Sequence, residues 1–213
     1  MNEYLVKIII DALKEDIPTI DVSSEYLFQD QVSSGRFIAK EDGVISGIDI
    51  CKETFLMVDP STKFIIMKDN GEQVFKGDII ATVEGKTKSL LKAERVGLNF
   101  LQRMSGIASM THRFVKAVKD YDVSILDTRK TTPLLRVLEK RAVLDGGGTN
   151  HRMNLSQMVM LKDNHLKAAG SLKEAVDIVR KNVGKTMQIE VEVETLEAFK
   201  EALDSDANII MLD

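Results

Sequence analysis

Cys51 is the only cysteine among the 213 residues, so no internal disulfide can form. A lone thiol without a neighbouring Cys or His pattern also argues against zinc and reads as a small packed hydrophobe. Tryptophan is absent, and with three Pro and 13 Gly the chain is neither collagen-like nor of low complexity. Strong charge of either sign is missing too: a net charge of -4 with 29% charged residues excludes a disordered polyanion and gives no broad basic surface for nucleic acid. No apolar run is long enough to cross a bilayer. The opening MNEYLVKIIIDALKED is interrupted by Lys7 and followed by acids, so it reads as an amphipathic helix with apolar residues at 5, 6, 9, 10 and 13, rather than a secretory signal. A cytoplasmic protein is the simplest inference, with no membrane partner.

What is present is 44% hydrophobic content, enough for one large or two small cores. From about residue 30 to 85, short strands with turn punctuation, including Asn70-Gly71, predict a small antiparallel sheet. KSLLKAERVGLNFLQRMSGIASMTHRFVKAVKD has helical spacing, with a break or bend expected near Gly106. Beyond residue 120, VSILD, AVLD, MVMLK, QIEVEVE and NIIMLD are strand candidates alternating with helical segments, the rhythm of parallel βα units. Thr132 before Pro133 reads as a helix N-cap, and Ser171 with Glu174 as a capping box. The domain boundary is expected inside the helical stretch, giving domains of residues 1–107 and 108–213.

Polar residues cluster directly after three of these strands, as DTRKTT, GGGTNHR and KDNH. Loops at the carboxyl ends of parallel strands form one face of an α/β barrel, which is where its chemistry sits. Between Asp127 and His165 there are seven Lys or Arg against four acids, a net of +3 that leaves -7 for the rest of the chain. A local cationic mouth in an acidic protein suits a small polyanion. Arg129, Lys130, His151, Arg152 and Lys162 are the candidates, whereas Arg136, Lys140 and Arg141 on a helix read as solvated charges. Three glycines at 146 to 148 allow close backbone approach, a weak signal alone. In QIEVEVE the carboxylates of Glu190, Glu192 and Glu194 share one face, which is either a solvated acidic face or, in a barrel, turned inward. Turned inward they need a cation, supplied by Arg and Lys or by a divalent metal, and Asp213 is then a candidate second oxygen ligand for Mg²⁺.

Six motifs in order, ERVGLNFLQRMSGIAS (94–109), DTRKTTP (127–133), GGGTNHR (146–152), MLKDNH (160–165), IEVEVE (189–194) and IIMLD (209–213), resemble the quinolinate phosphoribosyltransferases, and the likeness covers essentially the whole chain. The resemblance implies an α/β fold: an N-terminal α/β sandwich domain followed by an open, TIM-like α/β barrel. It implies a homodimer, or a higher oligomer built from it, with shared active sites. It also implies transfer of phosphoribosyl from phosphoribosyl pyrophosphate to quinolinate with decarboxylation, in NAD biosynthesis. By motif, Arg129, His151, Arg152 and Lys162 would hold the two substrate carboxylates, Lys130 would bind phosphate, and Arg95 would reach the neighbouring subunit's site. Glu192 and Asp213 would position ribose and pyrophosphate with Mg²⁺; Lys130, Lys162, Glu192 and Asp213 form the implied catalytic set. Leu134 stands where the family commonly has glycine. The family's barrel is expected to continue past Asp213 into a Gly/Ser-rich phosphate loop, so the barrel is expected to be incomplete here and turnover by the shortened chain is left open. The alternatives are a same-fold homologue acting on another substrate and a non-catalytic anion-binding protein.

Overall fold

The computed structural model describes residues 3–213, apart from the side chains of 166–168. The elements run in the order α1 (Glu3–Asp16), α2 (Val22–Leu27), β1 (Val32–Ile38), β2 (Gly43–Val44), α3 (Ile48–Val58), β3 (Lys63–Ile66), β4 (Gln73–Val74), β5 (Ile79–Lys86), α4 (Thr87–Ala117), α5 (Arg136–Asp145), β6 (Val159–Leu161), α6 (Asp163–Ala169), α7 (Leu172–Val183), β7 (Ile189–Val193), α8 (Leu196–Leu203) and β8 (Ile209–Leu212). Two compact units result, one ending at His151 and one from Arg152 to Asp213. No described helix is long and apolar enough to cross a membrane.

In the first unit β1, β5 and β3 form an antiparallel sheet in that order, and β2 pairs with β4 as a short ribbon. The sheet's apolar face packs on α3 and α4 through Phe37, Phe55 and Phe64, whose ring centroids lie 5.3 to 5.8 Å apart. Aromatic pairs at this spacing and tilt add stability beyond the area they bury. Cys51 is fully buried where α3 meets α4 at Gly97, and burial pushes its thiol up to about 12, so it is an inert packing group. The Asn70-Gly71 turn is real: Asn70 Oδ1 accepts from the Gly47 and Ile48 amides, which caps the start of α3 where Gly47 itself has no side chain to do so. On α1 the buried side is Ile9 with Leu5, Ile8, Ala12 and Leu13, rotated from the expected stripe because Ile10 is exposed and Ile8 and Ala12 take part instead.

Three expectations fail for identifiable reasons. Helix α4 runs unbroken for 31 residues through Gly106, whose added Cβ would meet nothing, so the glycine weakens the helix without interrupting it. AVLD is the last turn of α5, because three apolar residues in a row fit a helix end as well as a strand. Thr132-Pro133 opens a turn rather than a helix. The Leu135 amide donates to Thr132 O (3.1 Å) with Leu134 at φ 67°, and α5 starts only at Arg136.

The second unit has a parallel sheet in the order β6-β7-β8. Ile189, Val191 and Val193 of β7 pack with Leu172, Ala175 and Val176 of α7 and Ala202 of α8. Ser171 Oγ accepts from the Glu174 amide and Thr195 Oγ1 from the Ala198 amide, so both covering helices start at side-chain caps, the first as expected. Among the described residues the sheet is open, not closed.

Candidate active site

Side chains that alternate along β7 set the site in the second unit. With Ile189, Val191 and Val193 committed to the helices, Glu190 and Glu192 must face the opposite side of the sheet. In a parallel pair, register partners share a face, and Glu192 is aligned with Met211, so Asp213 two residues on lies on the Glu192 side. By the same rule Met160, aligned with Glu190, puts Lys162 on that side as well. Lys162, Glu192 and Asp213 therefore occupy the carboxyl ends of three adjacent strands on one face. Lys162 Nζ donates to Glu192 Oε2, and Asp213 N donates to Val193 O (3.1 Å). Arg152 is only 8% exposed, with its guanidinium donating to Met158 O (3.0 Å) and meeting Met160 Sδ (3.3 Å), which holds it beside the same strand. Glu190, 3% exposed, adds a buried carboxylate to this face. His165 Nδ1 accepts from the Lys162 amide (3.1 Å), so this histidine braces the turn that carries the lysine.

The first unit holds Arg129, Lys130 and His151. Parallel backbone bonds from Thr149 N to Ile125 O (2.8 Å) and Asp127 N to Thr149 O (3.1 Å) lay the DTRKTT loop beside GGGTNHR. The glycines have a packing role: a Cβ on Gly146 would lie 2.4 Å from Ala108 O, and one on Gly148 would lie 2.8 Å from Thr111 Cγ2, both on α4. Asp127 joins the two loops. Its carboxylate takes the Lys140 ammonium, the His151 amide (2.8 Å) and, with the Asn150 amide nitrogen turned toward it, that side chain at 2.6 Å. Arg129 Nε is buried without a hydrogen-bond partner among the described residues, and Lys130 is exposed. Arg95 is exposed on α4.

Lys140 departs furthest from what the sequence suggests. It is 1% exposed rather than solvated, and its neighbour Glu139 is buried too. Glu139 accepts from Arg103 Nη2 (2.6 Å) and Thr132 N (3.1 Å), and these bonds hold its carboxyl below the ordinary range although burial pulls it up. Nothing in helical periodicity could reveal these partners. The only available signal is that Asp127 opens a motif otherwise rich in cations.

The metal expectation can be tested on the donor set. Among the described residues no three His, Cys, Asp or Glu side chains gather as a metal site, which disfavours an ion needing an all-protein cage. Mg²⁺ keeps water and takes one or two carboxylates plus substrate phosphates, and Glu192 and Asp213 on adjacent strand ends fit that demand.

Strand-end cations and carboxylates on a parallel sheet, preceded by an antiparallel sheet packed on helices, define an α/β protein equipped for a small anionic substrate. Comparison with known proteins makes this specific. The family model described as "Quinolinate phosphoribosyl transferase, N-terminal domain" matches residues 21–105, and its C-terminal counterpart matches 107–213. A "Probable nicotinate-nucleotide pyrophosphorylase [carboxylating]" of Bacillus subtilis is 44% identical over 209 residues, which cover 98% of this chain and 72% of that protein. The crystal structure of NadC from Streptococcus pyogenes superposes with a TM-score of 0.94 at 42% identity, over 98% of this chain and 74% of that one. The nicotinate-nucleotide pyrophosphorylase of Francisella tularensis gives 0.96 at 33% identity, over 100% of this chain and 75% of that one. The chain belongs to the quinolinate phosphoribosyltransferase family.

Proposed function

We propose that this chain transfers the phosphoribosyl group of phosphoribosyl pyrophosphate to quinolinate with loss of carbon dioxide, giving nicotinate mononucleotide and pyrophosphate for NAD synthesis. The observation that carries this reading is the shared face on which Lys162, Glu192 and Asp213 end three neighbouring parallel strands, with Arg152 beside it. An ammonium and a guanidinium suit a dicarboxylate, while carboxylates suit a ribosyl centre that becomes positive as pyrophosphate departs. Arg129, His151, Arg152 and Lys162 are assigned to the quinolinate carboxylates, Lys130 to phosphate, and Arg95 to the site of a neighbouring subunit. Glu192 and Asp213 are assigned to the ribose and to Mg²⁺. When bound, Mg²⁺ supplies charge neutralisation at the leaving pyrophosphate.

The residues' work follows from charge. Glu192, drawn toward Lys162 in the free protein, favours the electron-poor anomeric carbon once the lysine is engaged by substrate. The pyridine nitrogen attacks that carbon as its bond to pyrophosphate breaks, and the ring becomes cationic. The bond to the adjacent carboxylate then breaks, releasing carbon dioxide and leaving its electron pair on the ring carbon, stabilised by the neighbouring positive nitrogen until a proton from water is taken up there. Arg129 contributes a buried Nε without an acceptor among the described residues, a group whose desolvation a bound anion would offset. The three-stranded parallel sheet is taken as an arc of an open, TIM-like α/β barrel, the protein as a homodimer, and its location as the cytoplasm.

The deciding experiment incubates the purified protein with quinolinate, phosphoribosyl pyrophosphate and Mg²⁺, and follows nicotinate mononucleotide by chromatography. Product is expected with quinolinate and not with nicotinate. Turnover of nicotinate alone would reject the assignment in favour of a same-fold homologue, and binding of quinolinate without product would reject catalysis.

A further inference from the structure

The loop carrying Arg129 and Lys130 is gripped along its length by one face of α5. Arg136 Nε donates to Thr131 Oγ1 (3.0 Å), and its Nη2 reaches Arg129 O (3.4 Å). Glu139 accepts the Thr132 amide (3.1 Å), while Arg103 from α4 bridges Glu139 (2.6 Å) and Thr132 Oγ1 (2.7 Å). Lys140 closes the near end on Asp127, which in turn takes the His151 amide. Successive helical residues 139 and 140 are thus both buried polar groups spent on the same loop, one at each end. Burying an ammonium and a carboxylate costs more than apolar packing would, and stability alone gives no reason to keep them.

We propose that Arg136, Glu139 and Lys140 are positioning residues: α5 holds the 127–132 loop, through its backbone and hydroxyls, in the shape that presents Arg129 and Lys130 to the anionic substrate. None of the three is assigned a substrate contact; each acts through Asp127, Thr131 or Thr132. The substrate named here rests on the function proposed above, whereas the cradle itself rests only on the contacts of the first unit.

A loose loop still carries its charges but must be ordered at the moment of binding, so the loss falls on affinity before it falls on the fold. The test uses the full chain with Arg136→Met, Glu139→Gln, Thr131→Val and the pair Arg136→Met with Thr131→Val; Lys140→Met is added where it folds. Three readouts are taken: hydrogen exchange of the amides from Arg129 to Thr132, quinolinate affinity by calorimetry, and steady-state KM and kcat with thermal midpoints. Positioning predicts faster exchange in those amides and quinolinate binding weakened by about 5- to 30-fold, with KM rising more than kcat falls. The double variant should be no worse than Arg136→Met alone, because Thr131→Val removes only a bond that Arg136→Met has already removed. Thermal midpoints of Arg136→Met and Thr131→Val should fall by no more than about 3 °C. Unchanged exchange, or faster exchange with affinity within about twofold, would overturn the proposal. If the wild-type chain binds no quinolinate, the functional reading falls, and the exchange data judge the cradle by themselves.

Discussion

Lys162 and Glu192 are joined by an ion pair across the carboxyl ends of β6 and β7, on the sheet face away from α7 and α8. The lysine side chain is 43% exposed while that of Glu192 is 10% exposed, so the lysine can leave for a substrate anion at little cost and the glutamate cannot follow it. Glu192→Gln keeps shape and removes the charge that the proposed function assigns to the ribosyl centre. It should lower kcat by about 100-fold or more and leave the thermal midpoint within a few degrees, because half of the pair is already screened by water. Rapid-quench or steady-state turnover checks it, and a variant retaining a third of wild-type kcat would remove Glu192 from the catalytic set.

Acid should expose the Glu139 link. Burial pulls this carboxyl up, Arg103 and Thr132 outweigh it, and the folded value ends below the ordinary 4.5. A depressed folded value means the unfolded chain takes up the proton first, so the stabilisation is complete above 4.5 and is lost as pH falls through the folded value. Denaturant unfolding of the wild type should weaken on acidification below that point more steeply than unfolding of Glu139→Gln. Parallel curves for the two proteins would show that the carboxylate is not held by these partners.

The second unit's share of the candidate site is legible in the sequence because its polar residues lie on strands or directly after them, whereas GGGTNHR follows a helix and DTRKTT only an isolated bridge. IEVEV alternates, so its committed apolar side fixes where Glu192 points, and parallel register then carries Lys162 and Asp213 to the same face. The parts that sequence hides share a different character. Asp127 and Lys140 are thirteen residues apart in a loop and a helix, and RVLEKR carries no marked apolar stripe to show that Lys140 faces inward. GGG reads as a ligand cradle, yet two of its glycines are required by contact with Ala108 and Thr111, long-range neighbours that local sequence does not encode. Pro133 reads as the first helical residue, whereas Leu134 at positive φ makes it the second position of a turn.

Leu134 itself carries strain that can be measured. It occupies the third position of the 132–135 turn at φ 67°, a conformation that suits glycine, and is 75% exposed, so its side chain recovers little by burial. The left-handed region costs an L-residue about 1 to 2 kcal/mol, and glycine returns part of that through its freer unfolded chain. Leu134→Gly should therefore raise stability by up to about 1 kcal/mol, a thermal shift of about 2 to 4 °C for a chain of this size. Tyr4 Oη donates to Leu134 O (2.8 Å), and Tyr4→Phe should leave this gain in place. A lower midpoint for Leu134→Gly would mean the leucine side chain is held by contacts worth more than the strain.

Gly106 and Gly146 make a paired test of what glycine is doing in this fold. Gly106 lies in the middle of α4, and a methyl added there would meet nothing within 4 Å, so Gly106→Ala should gain helix propensity, about 0.5 to 1 kcal/mol. Gly146 ends α5 against the backbone of α4, where a methyl would lie 2.4 Å from Ala108 O and 2.7 Å from Thr111 Cβ. Neither is a flexible tip, so Gly146→Ala must push the loop or the helix aside, at about 1 to 3 kcal/mol. That displacement should also travel to the His151 amide, which Asp127 holds at 2.8 Å, and weaken quinolinate binding along with stability. Denaturation curves and calorimetry on the two variants decide the matter: opposite signs in stability are expected, and a neutral Gly146→Ala would show that the loop does not need its close seat on α4.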